Sequence, residues 1–147
     1  MNWIFRVSVA CIIVAGFLLV TGSEILQLSL GADESFPFGT IVTWVGMVSL
    51  PVATRLGIQR TDFPGRRKSR LINRFLLASI ALAILWGFVS YYLADNWAFT
   101  FRLQEQFRGS NRASRYFWYY SALVVLLPIF LLFAHMFFKG QKTLTKS

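Results

Sequence analysis

The sequence predicts an all-α integral membrane protein: four transmembrane helices, both termini cytoplasmic, with a short interfacial helix between helices three and four. Three observations carry this. Four stretches free of Asp, Glu, Lys and Arg (Val7–Ser23, Ser35–Thr54, Phe75–Ala94 and Tyr116–Phe138) fill most of the 147 residues. A hydrocarbon core of about 30 Å takes roughly 20 mostly apolar residues in a helix. Only 14% of the chain is charged, against about 25% in a soluble domain, and those charges collect between the apolar runs. Their signs are also unevenly shared between the two sides that four crossings define. One side, with both termini and the second connection, gathers a net +10 and the other −1, which together make the overall +9. Lys and Arg concentrate on the cytoplasmic side of membrane proteins, which sets the orientation. A single domain over 1–147 follows, with helices at about 3–23, 36–54, 73–94 and 115–138 and an interfacial segment at about 96–109.

Helix one reaches full length once Trp3–Phe5 are added, with Arg6 snorkelling toward the headgroups. The N-terminus resembles a signal peptide, but its apolar run exceeds the usual signal core, so a retained helix is expected. Cys11 is the single cysteine and is read as a packed apolar thiol. Helix two is expected to start near Pro37, whose fixed φ and missing N–H suit a first turn, with Ser35 as its cap. Pro51 removes the bond toward Met47 and predicts a bend or an early end. Phe63-Pro64-Gly65 reads as a turn between helices two and three. β-strands are excluded as spanning elements, because the runs are about twice the length of a membrane strand and lack period-two alternation.

Helix three carries Ser79, Ala83 and Gly87 at four-residue spacing, with Ser90 and Ala94 extending the face. Small residues let a second backbone approach closely in lipid, so this is the expected tight helix contact, within the bundle or with a partner. Gly87→Leu and Ala83→Leu are expected to weaken assembly. In the following connection Phe99, Leu103 and Phe107 recur every fourth residue, as in a helix lying in the interface. Ser110-Asn111 breaks that segment. Helix four contains Pro128 in mid-run, which predicts a kink.

Ionisable groups at membrane depth mark most transporters and pumps, and none lies near a midplane here. Neither a glycine-rich phosphate loop nor a histidine–cysteine cluster is found, so no catalytic residue and no metal ligand set is proposed. His135, the one imidazole, would need a second subunit to complete a haem or metal site. Glu24 opens the acidic first loop as an exposed carboxylate. The excess positive charge has its home in topology, so no nucleic acid is expected as a partner.

Aromatic residues make up 17% of the chain. Tyr91, Tyr92, Trp97, Trp118 and Tyr119 form a belt denser than orientation requires, while Trp44 and Trp86 fall near helix centres, where an indole N–H needs an acceptor. These seven are the candidate contacts for a partner or a hydrophobic ligand. Arg66, Arg67, Lys68 and Arg70 are the candidate contacts for anionic lipid or a partner.

Elimination leaves three classes. The first is a non-catalytic accessory or structural subunit of a larger integral-membrane complex, packing against other membrane subunits and lipids. It would supply no cofactor by itself but would share lipid, quinone or pigment at its interface. The second is a small oligomeric channel or carrier, with Ser8, Thr40, Thr43, Ser49, Ser79, Ser90 and Ser121 as its only polar stripe. The third is a lipid- or quinone-acting enzyme working from the boundaries. The bacterial inner membrane is the expected location.

Overall fold

A computed structural model describes residues 3–30, 36–59, 66–98 and 110–144 of the chain, the side chains of 66–69 and 141–144 excepted. Four long helices follow one another: α1 (Trp3–Thr21), α2 (Phe38–Ile58), α3 (Arg66–Ala94) and α4 (Asn111–Leu144). Each holds a window apolar and long enough to cross a bilayer. The protein is therefore an all-α integral membrane protein with four spanning helices.

The helices differ from the expected segments mainly at their ends. The charge-free runs mark where lipid begins, but a helix need not stop there. Arginine is a good helix former, and α3 starts at Arg66, seven residues ahead of the expected 73. At 1.5 Å per residue its 29 residues span about 44 Å, so its basic turns extend past the hydrocarbon. Similarly, α4 begins at Asn111 and α2 runs on to Ile58. Pro51 is fully buried inside α2 and does not end it. Pro128 is likewise buried inside an unbroken α4. Each proline removes one backbone donor, a loss that membrane helices tolerate.

The helix ends have local causes. Gly22 follows α1 with φ +59, and the Ser23 N–H bonds back to the Leu18 carbonyl at 3.4 Å, which is a Schellman closure. Asp95 takes the same left-handed conformation after α3, φ 59, with its N–H on the Tyr91 carbonyl at 2.8 Å. Asn96 Nδ2 donates to the Ala94 carbonyl at 2.9 Å. At the start of α4, Ser110 Oγ accepts from the Ala113 N–H at 3.2 Å, a serine cap. No side chain caps α2 behind Pro37. Ser35, the Phe63-Pro64-Gly65 turn and residues 99–109 of the expected interfacial helix lie outside the described residues.

Successive helices alternate in direction, so the bundle has two chemically distinct ends. One carries Arg6, Arg55, Arg70, Arg74 and Lys139 and is called the arginine end. The other holds the first and third connections, with Tyr91, Trp97 and Phe117, and is called the aromatic end. α2 is central and packs on α1, α3 and α4, while α3 also packs on α4. α1 crosses α2 closely, since a Cβ built on Gly46 would stand 2.9 Å from that of Ala15. Most of α1 faces outward, with Ser8 and Ala15 its buried residues. Two buried clusters fill the α2–α3–α4 interior. Ala83, Trp86, Ala94, Phe117 and Val124 form the one toward the aromatic end. Ile58, Ile72, Leu76 and Leu131 form the one toward the arginine end.

Candidate functional site

The small-residue face of α3 is turned into the bundle. Ser79, Ala83, Gly87, Ser90 and Ala94 are all buried. Gly87 is where the backbone of α3 meets Trp44 of α2: an added Cβ would lie 2.7 Å from three ring atoms of that indole. The Trp44 ring is held there by its own N–H, which is shared between the Ala83 and Ile84 carbonyls at 3.1 Å each. Its edge meets Phe88 at 5.3 Å between centroids.

From the other side α4 supplies Tyr120, whose hydroxyl donates to the Leu82 carbonyl at 2.7 Å. Consecutive carbonyls of a single α3 turn thus accept side-chain donors from both neighbouring helices. A carbonyl has two lone pairs, so it can serve its own helix and a second donor together. One turn on, the Trp86 N–H donates to Ser121 Oγ of α4 at 2.8 Å. Trp86 is only 1% exposed and is tilted on Phe117 at 6.1 Å. In lipid each such bond contributes about 0.6 to 2 kcal/mol.

At the aromatic end Trp97 stacks on Tyr91 at 4.4 Å and tilts on Phe36 at 5.1 Å. Its carbonyl accepts from Thr40 Oγ1 of α2 at 2.6 Å. Residues 95–98 therefore fold back over the bundle and bury Ala98 completely. Tyr92, Trp118 and Tyr119 point outward, 84%, 56% and 70% exposed. So the seven predicted aromatic contacts divide: Trp44, Trp86, Tyr91 and Trp97 meet the chain itself, and the other three face the surroundings. Of the predicted basic contacts, Arg70 is exposed, and Arg66, Arg67 and Lys68 lie in the first turn of α3.

His135 is 3% exposed within α4. No group of three or more His, Cys, Asp or Glu suited to a metal occurs among the described residues. Among the described residues, two apolar recesses lie between helices. One, about 150 Å³, lies between α1 and α2 beside Val125 of α4, lined by Ala15, Gly16, Thr43 and Gly46 among others. The other, about 310 Å³, follows the α2–α3 seam past Trp44, Val45, Val48, Ser49 and Ile84.

Sequence reasoning missed Tyr120, Thr40 and Gly46 as tertiary contacts, Ser121 as a partner for Trp86, and Asn73, whose Oδ1 accepts from Arg55 Nε at 3.0 Å. The available signal was depth, since in antiparallel neighbours residues equally far from facing helix ends stand side by side. No family profile, curated protein or solved structure matches this chain.

Proposed function

We propose that the chain is a non-catalytic accessory subunit of a larger integral-membrane complex, packing against core subunits and holding lipid, quinone or pigment at that contact. The observation that carries this reading is the filled centre of the bundle. Trp86, Val124 and Ser90 occupy the space between α2, α3 and α4, and the hydroxyl of Ser121, counted as part of a polar stripe, is spent on the Trp86 indole. An interior closed by packing suits a protein whose work lies on its outside. The outward aromatic residues and the loosely covered α1 supply that outside. Large rings are favoured at protein interfaces.

Extraction in a gentle detergent followed by size and composition analysis tests this. A hetero-complex several times the mass of the chain is expected. A homo-oligomer or a free monomer as the sole species would overturn it.

The arginine end is proposed to face the cytoplasm of a bacterial inner membrane, because that end collects the positive charge. A reporter fused after Ser147 and one inserted near Asp33 should then report from opposite sides. Matching signals from both would refute the arrangement.

A further inference from the structure

The α2–α3 seam carries a basic boundary and, deeper along it, an apolar groove. Arg55 stands in the last turn of α2, half-buried, and its Nε donates to Asn73 Oδ1 of α3 at 3.0 Å. That bond fixes one edge of the guanidinium. The terminal nitrogens make no hydrogen bond or ion pair among the described residues, and a planar fork of this kind matches phosphate oxygens. Asn73 shares its helix face with Arg70 at i−3, and Arg74, about 100° round the helix from Asn73, is the i+4 neighbour of Arg70. Both arginines are exposed. From Arg55 to Arg74 the sequence carries seven Lys and Arg side chains against the single Asp62, so this boundary is net positive.

The groove of about 310 Å³ lies deeper along the same seam, lined by Trp44, Val45, Val48, Ser49 and Ile84. At 100° per residue, Val48 and Arg55 lie within about 20° of one another on α2, as do Ile84 and Asn73 on α3. Seven residues separate Val48 from Arg55, or about 10 Å along the axis. A cation at the headgroup boundary and an apolar groove about 10 Å deeper thus share one seam, and the ligand that meets both is an amphiphile with an anionic head.

We propose that the α2–α3 seam binds one anionic phospholipid. Its phosphodiester rests on the Arg55 fork beside Arg74 and Arg70, and an acyl chain runs in the groove past Val48 and Ile84. Asn73 is the positioning residue for Arg55. This stands apart from the accessory-subunit reading, since the site lies within a single chain.

Native mass spectrometry of the purified chain with added phosphatidylglycerol or phosphatidylcholine tests it. Phosphatidylglycerol should be retained preferentially. Arg55→Gln and Arg74→Gln should each weaken that retention about fivefold, the effect of one basic residue near an anionic surface. Arg74 is exposed, so its variant keeps the fold in place and the outcome interpretable. Val45→Trp, at an exposed position on the groove wall, should weaken retention while leaving the thermal midpoint within a few degrees. Equal retention of the two lipids, or unchanged phosphatidylglycerol binding in both arginine variants, would overturn the proposal. Inorganic phosphate displacing the lipid at low millimolar concentration would overturn it in favour of a soluble anion, and a copurifying acidic polypeptide that excludes lipid would do so in favour of a protein partner.

Discussion

Replacing Gly87 by alanine should destabilise the bundle, although alanine is the better helix former. The added Cβ would stand 2.7 Å from Cδ2, Cε2 and Cε3 of Trp44, closer than carbon atoms approach. The rigid indole has little freedom to retreat, because its N–H is held by the two carbonyls one turn back on the same helix. Overpacking of this kind costs about 1–3 kcal/mol, against a gain of up to about 1 kcal/mol in helix propensity. Leucine at the same position removes the option of a small adjustment and should part α2 from α3. Gly16→Ala is the matched control, since no atom lies within 4 Å of its added Cβ, and it should be neutral or slightly stabilising. Unfolding midpoints in mild detergent separate the cases. Equal midpoints for the two alanine variants would refute the close contact.

Trp86→Ala should have the largest effect of any single truncation. This is the largest fully buried side chain described, and removing such a ring from a packed interior costs about 3–5 kcal/mol. It also leaves the buried Ser121 Oγ without the donor it accepts from at 2.8 Å. Trp86→Phe separates the two contributions, because it keeps most of the volume and loses only the N–H. Ser121→Ala leaves the ring in place and should cost about 1 kcal/mol. The expected order of unfolding midpoints is wild type, then Ser121→Ala, then Trp86→Phe, then Trp86→Ala. If Trp86→Ala unfolded with the wild type, the packed centre would not be what holds these helices together.

The four crossings are legible in the sequence because lipid imposes one severe condition, that every backbone donor find its acceptor within the segment. Long runs without charge satisfy it visibly. The ends are less legible, since Arg66–Arg74 and Asn111–Arg115 are polar yet helical, and hydropathy is silent about a ladder that continues into the interface. Pro51 shows a related limit: the sequence suggests a bend or an early end, but the lost bond is one among many in a helix anchored beyond it by Ile58 and Arg55. Trp97 reads as the first ring of an interfacial helix. The left-handed turn at Asp95 sets this ring back onto Tyr91 and Phe36, a contact that hydropathy does not announce. Depth places Trp44 and Tyr120 beside the middle of α3, but not the atoms they bond. Their acceptors are backbone carbonyls, which every residue has, so no side-chain pattern announces which three are used. The basic run at the start of α3 was legible as a charge, whereas its link to a groove depends on the register of α2 against α3.

The turn Leu82–Ile84 acts as a shared clasp. Sliding α3 lengthwise by one helical pitch, about 5.4 Å, would undo the Trp44 and Tyr120 ties in the same stroke and drive the Gly87 notch away from the indole it admits. Axial slip among α2, α3 and α4 is therefore an all-or-nothing event. α1 stands outside that clasp: it lies along α2 from Phe5 beside Gly57 to Ala15 against Gly46, so its seating is decided separately from the register of the other three.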